Sequence, residues 1–242
     1  MREIVLDTET TGFEPETGDR IVEIGAVELL NHVPTGRTYH QYINPDRAMP
    51  QSAFEVHGLG PDLLEAPRAA NPGEVVLRDK PRFAEIGDAF LSFVGDAKLV
   101  IHNAAFDMKF LNAELGWINR PLLPSDQAID TLAIARKKYP GSPASLDALC
   151  RRFGIDNTAR TLHGALLDSE ILAEVYLELI GGRQPGLILS SGPVASSKDP
   201  GRDWRPVARP TQLPPRITAE EAEAHRAFVD ALGPESLWAK LS

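Results

Sequence analysis

The chain has 242 residues, of which 43% are hydrophobic and 24% charged, so it can bury a sizeable core; it carries a formal net charge of −9 and a single cysteine. The acid excess argues against a protein that grips nucleic acid unaided, because phosphate neutralisation by Lys and Arg supplies most non-specific affinity, and the lone Cys150 excludes an internal disulfide. No run approaches the roughly 18 apolar residues of a membrane span and no basic segment leads an apolar signal core, so the expected location is the cytoplasm.

The first element is the run "IVLDTETTGF", residues 4–13, which reads as a strand ending in two acids. Residues two apart on a strand point to one side, so Asp7 and Glu9 project together. A strand end is where α/β folds commonly place a site, although a solvated terminus would look the same. "RIVEIGAVELL" and "TYHQYINP" follow as an antiparallel meander. Then come the loop "VHG" and the segment 65–79, which reads as a surface insertion or as a contact to substrate or partner. "KPRFAEIGDAFLSFVG" has Phe83, Ile86, Phe90, Leu91 and Val94 at helical spacing. "KLVIHN" is a short buried strand running into the helix "AAFDMKFLNAELGW", whose first turn carries Asp107. After a strand at "QAIDT" come the helices "LAIARKKY", "SLDALCRRF" and "ALLDSEILAEVYLELI"; Cys150 shares an apolar face with Leu146, Leu149 and Phe153 and reads as a structural thiol. The order of elements predicts a mixed sheet with helices packed on it. Arg136, Lys137, Lys138, Arg151, Arg152 and Arg160 read as solvated helix-end charges or as phosphate contacts.

From residue 183 the composition changes. Residues 183–216 are dense in Pro, Ser and Gly and read as a flexible linker; residues 217–242 then form a short tail, with Thr218 and Glu221 spaced as a capping box. The tail is too short to bury a core, so Phe228, Leu232, Leu237 and Trp238 are expected to dock on a partner.

Asp168 interrupts a helix rich in Leu and Ile, so it is expected to face something specific. If Asp7, Glu9, Asp107 and Asp168 converge, each pair about 4 Å apart repels by about 4 kcal/mol at an effective dielectric near 20. Either some protonate or a cation binds. Oxygen ligands suit Mg²⁺ or Mn²⁺, and two such ions can clamp the oxygens of a phosphoryl transfer; zinc would be expected to recruit His or Cys. His163 stands before the helix of Asp168, with Gly164 freeing its loop, and imidazole chemistry suits a general base near neutrality.

"DTETTG", "HNAAFD" and "HGALLDSEILAEVY" together resemble the three motifs of the DEDDh exonuclease family, over residues 2–182. The wording is most similar to the branch that proofreads for bacterial replicative polymerases. The resemblance implies an RNase H-like α/β fold with a five-stranded mixed sheet flanked by helices, and 3′ to 5′ removal of nucleotides from single-stranded or mismatched DNA ends. It places the metal-binding acids on Asp7, Glu9, Asp107 and Asp168 and the base on His163. Thr10, Thr11, Gly12 and Phe13 match the segment that receives the terminal nucleotide, Val56 and His57 a second pocket loop, and Asn103 and Phe106 its other wall. "QPGLIL" resembles a sliding-clamp motif through Gln184, Leu187 and Leu189. The resemblance therefore implies an exonuclease domain at 1–182, a clamp-binding linker at 183–216 and a polymerase-binding tail at 217–242; whether a small accessory subunit is a further partner the sequence does not reveal. Competing readings are an exoribonuclease of the same family, an aspartate-based phosphatase, for which Glu9 stands where a second aspartate is needed, and a structural polymerase subunit with an inactive site.

Overall fold

The sheet grows outward from β1 (Arg2–Thr10), whose apolar side chains are buried on both faces. On one side lies antiparallel β2 (Ile21–Leu30), followed by β3 (Val33–Tyr42), a largely exposed edge strand. On the other side lie β4 (Lys98–Ile101) and β5 (Ala128–Asp130), both parallel, giving the order β3-β2-β1-β4-β5. This computed structural model describes residues 1–66, 68–71, 74–158, 160, 162–182 and 217–233. The chain divides into the units Met1–Ile188 and Leu189–Ser242.

Because strand side chains alternate, the two faces of β1 feed two cores. Ile4 and Leu6 pack with Phe83, Phe90, Phe110 and Leu111, contributed by α2 (Phe83–Val94) and α3 (Ala104–Trp117). Val5, Val27 and Val100 pack with Leu149 and Cys150 of α5 (Leu146–Phe153) and with Leu172, Val175 and Leu179 of α6 (Ala165–Leu179). Between β5 and α5 runs α4 (Thr131–Lys138), capped by the Asp130 carboxylate, which accepts from the amides of Leu132 and Ala133. The Cys150 thiol is buried, and desolvation pushes its pKa up, in keeping with a structural role. Gly25 lets α6 lie directly on β2: a Cβ there would overlap the backbone of Ala165 and Leu166.

Two features differ from the sequence reading. The "VHG" segment is not a loop: Val56 and His57 end a short helix, α1 (Gln51–His57), with Gly58 as its C-cap; at seven residues the helix is too brief to leave a periodic signature. The segment after it is more than a surface excursion, because Leu77 is fully buried and the Gly60 amide donates to the Val75 carbonyl at 2.7 Å. Its outer part is held by an Arg68–Glu74 ion pair.

The second unit contains α7 (Ala219–Ala231), whose capping box is formed: the Thr218 hydroxyl accepts from the Glu221 amide at 3.2 Å, and the Glu221 carboxylate accepts from the Thr218 amide at 2.9 Å. Phe228 and Leu232 are exposed. Gln184, Leu187, Leu189, Leu237 and Trp238 lie outside the described residues. No helix among the described residues is long and apolar enough to cross a membrane.

Candidate active site

Unequal strand lengths open the site. β1 pairs with β2 along its whole length, but β4 covers it only from Glu3 to Val5. Asp7 and Glu9 therefore lie in the last four residues of β1, as the sequence suggested, on a stretch that β4 does not pair with. β4 ends at Ile101, and Asn103, with φ 67° in the left-handed region that Asn tolerates, turns the chain into α3. That turn delivers Asp107 within the first helical turn, where the helix dipole favours a carboxylate. Asp168 stands in the first turn of α6 in the same way. The start of α6 is fixed by Glu23 on β2, whose carboxylate accepts from the Ala165 amide at 3.1 Å.

Asp7, Glu9, Asp107, His163 and Asp168 line one cavity of about 470 Å³, together with Asn103, Phe106 and Arg160. Donor atoms of Glu9, His163 and Asp168 lie within 4.8 Å of one another. The carboxylates do not share one electrostatic state. Asp7 is pushed well above the ordinary carboxylate range by desolvation and by the charges of Asp107, Glu9 and Asp168. Glu9 is pushed up to about 8 by desolvation, then by Asp168, Glu23 and Asp107. Asp107 rises to about 7 through desolvation, although it accepts a 2.7 Å hydrogen bond from the Thr8 hydroxyl. Asp168 goes the other way. Desolvation would raise it, but hydrogen bonds and charge from His163 and Arg160 outweigh that and hold it below its ordinary value.

Arg160 corrects the sequence reading of a solvated helix-end charge. Its side chain is only 10% exposed. Nε donates to Asp168 Oδ1 at 2.5 Å, Nη2 to Asp168 Oδ2 at 2.7 Å and Nη1 to Asp147 Oδ1 at 2.8 Å. Its residue type and place in a loop gave no periodic signal of this. Glu23 and Thr8 also escaped sequence reasoning, since their partners lie 142 and 99 residues away.

The other residues expected at the pocket, Thr10, Thr11, Gly12, Phe13, Val56 and His57, do not line this cavity. Phe13 is 82% exposed beside the cleft, edge-on to Phe106 at 6.5 Å between ring centres. Val56 is also exposed, and its carbonyl accepts from the His163 amide at 3.1 Å, tying the end of α1 to the loop of His163. His57 is buried, its pKa lowered to about 4 by desolvation, and it lines a neighbouring cavity shared with His163. Thr10, Thr11 and Gly12 shape the turn: the Thr10 hydroxyl donates to the Gly12 carbonyl at 2.6 Å, and buried Thr11 bonds the Asp19 carboxylate at 3.2 Å.

Four carboxylates, three of them pushed toward the neutral form chiefly by desolvation, fit a hard divalent cation by their donor chemistry. Residues 4–176 match the family model described as an exonuclease. The chain is 46% identical over 235 residues to DNA polymerase III subunit epsilon of Rickettsia felis, covering 96% of this chain and 97% of that one. It is 42% identical over 250 residues to the subunit of the same name from Escherichia coli, covering 98% and 97%. Among solved structures, exonuclease X in complex with 5′-overhanging duplex DNA superposes with a TM-score of 0.52 at 26% identity, over 73% of this chain and 90% of that one. The nuclease domain of 3′hExo, a DEDDh family member bound to rAMP, gives a TM-score of 0.59 at 19% identity over 74% and 91%, a likeness of fold.

Proposed function

Because the chain belongs to the exonuclease family and, within it, to the epsilon subunits of DNA polymerase III, we propose that this cleft removes nucleotides from the 3′ end of DNA as the proofreading activity of the replicative polymerase. The observation that carries this reading is the meeting of Asp7, Glu9, Asp107 and Asp168 from three elements of an RNase H-like fold, with His163 at the same cavity. These four acids are the ligands of a pair of divalent cations, Mg²⁺ or Mn²⁺. When bound, such ions stabilise the attacking and leaving oxygens of phosphodiester hydrolysis. His163, half-exposed at the mouth of the cleft, takes the proton of the attacking water. Phe13 and Phe106 offer ring faces to the terminal base, while Val56, His57 and Asn103 bound its pocket. A base must leave its stack to enter, so a frayed or mismatched end is the easier substrate.

The acidic net charge suits a subunit that touches a few nucleotides and leaves most of the DNA affinity to its polymerase. Residues 1–182 act as the nuclease and residues 183–216 as a linker, in which Gln184, Leu187 and Leu189 engage a sliding clamp. The tail 217–242 anchors the alpha polymerase subunit through Phe228, Leu232, Leu237 and Trp238, with a small accessory subunit as a further partner, in the cytoplasm. The test is digestion of end-labelled primers with Mg²⁺. Mismatched DNA ends shortened faster than paired ends support proofreading; equal rates count against it, and preference for an RNA strand favours the exoribonuclease reading.

A further inference from the structure

The Arg160 guanidinium stands where the cleft most needs positive charge. Both oxygens of Asp168 are engaged by it, and its Nη2 also lies 2.8 Å from His163 Nδ1. An Arg N–H can only donate, so in the neutral ring this contact occupies the Nδ1 lone pair, whereas in the protonated ring Nδ1 donates instead to Asp168 Oδ2, 3.4 Å away. One cation thus covers a carboxylate of the cleft and a lone pair of the imidazole beside it. Its third contact is to Asp147, a half-exposed carboxylate at the edge of the same cavity: Nη1 donates to Oδ1 at 2.8 Å, and Asn157 Nδ2 donates to that same oxygen at 3.0 Å. Asp147 is therefore a second, already formed partner to which the guanidinium can retreat.

We infer that Arg160 is the built-in counter-ion of the metal-free cleft, and that a divalent cation binds by displacing it from Asp168 onto Asp147. The inference rests on the reading of the cleft as a metal site. Its physical ground is the desolvation cost of an uncompensated carboxylate, which a bidentate guanidinium offsets until a stronger cation arrives. Arg160 is thus a positioning residue, acting through Asp168 and His163. The arrangement makes cation uptake a competition, since charge-assisted hydrogen bonds to Asp168 have to be given up.

Calorimetric titration of the full chain with Mn²⁺, without DNA, tests this. Arg160→Gln should bind Mn²⁺ about tenfold tighter or more, the scale of one charged hydrogen bond. Asp147→Asn, at the edge of the same cavity, leaves Asp7, Glu9, Asp107 and Asp168 in place and should bind Mn²⁺ more weakly, because the guanidinium loses its alternative charged partner. Affinity that is unchanged or weaker in Arg160→Gln, or unchanged or tighter in Asp147→Asn, overturns the inference while leaving the metal site standing. Failure of the unaltered protein to take up Mn²⁺ removes both. Melting of the metal-free proteins gives an independent reading: Arg160→Gln should lose several degrees, and saturating Mn²⁺ should restore them.

Discussion

The two walls of the cleft carry the same chemical group in opposite states. On the sheet side, Asp7, Glu9 and Asp107 make no ion pair with a cation among the described residues, and desolvation pushes all three toward protonation, with repulsion among the cleft acids adding to it at Asp7 and Glu9. On the α6 side, Asp168 is held ionised by Arg160 and His163. The difference teaches that burial alone does not decide what a carboxylate does; the nearest counter-charge does. One wall is left uncompensated, and the other is already neutralised.

The sharpest way to separate the walls is to remove one acid from each. Asp7→Ala and Asp168→Ala should both lower 3′ to 5′ digestion by several orders of magnitude, because each removes a proposed metal ligand. Their effects on the metal-free fold should have opposite signs. Asp7→Ala relieves repulsion and should raise the melting temperature by a few degrees, whereas Asp168→Ala leaves Arg160 without its bidentate partner and should lower it. Shifts of the same sign in a calorimetric scan would dissolve the distinction.

Next in size is His163→Ala, expected to reduce kcat by about 10²–10⁴-fold with little change in DNA affinity, the mark of a group that acts on the proton. A KM effect alone in steady-state digestion would reassign it to binding. Gly25→Ala should be smaller in its effect on chemistry but visible in both walls at once. The added methyl meets the backbone at the start of α6, so Asp168 moves relative to β1 and both melting temperature and activity fall. Unchanged melting and activity in that variant would show that α6 can shift without cost. Removing the chain after residue 210 touches neither wall, and should leave digestion of free primers within about twofold while abolishing co-purification with the polymerase; retained co-purification would place the anchor elsewhere.

The sheet-side wall was largely legible in the sequence. Period-two alternation places Asp7 and Glu9 on one side of β1, and a short apolar run followed directly by a helix places Asp107 near a strand end. The α6 wall was legible only in part. Asp168 stood out as an acid within an apolar helix, but Arg160 lies in a loop, where no periodicity tells a buried guanidinium from a solvated one. The overhang of β1 beyond β4 was hidden as well, because strand register is set by partners about ninety residues apart. The buried anchor Leu77 was missed for a related reason: a Pro- and Gly-containing segment reads as loop whether or not one side chain plugs a third small core beside Met49 and Phe54.

The account turns on the sheet-side acids being uncompensated until metal binds, and the melting temperature measured against pH, with and without Mn²⁺, tests that most directly. Glu9 and Asp107 have pKa values of about 8 and about 7 in the fold, well above the ordinary carboxylate range of the unfolded chain. Between those limits the folded state holds more protons than the unfolded state, so stability must fall as pH rises. Asp168, with its lowered pKa, contributes the opposite slope only at more acid pH. The metal-free protein should therefore lose melting temperature steadily from about pH 5 to about pH 8, Glu9→Gln should make that fall shallower, and saturating Mn²⁺ should abolish it by holding the acids ionised. A melting temperature that is flat or rising over this range without metal, or a fall that Mn²⁺ leaves unchanged, would contradict the account.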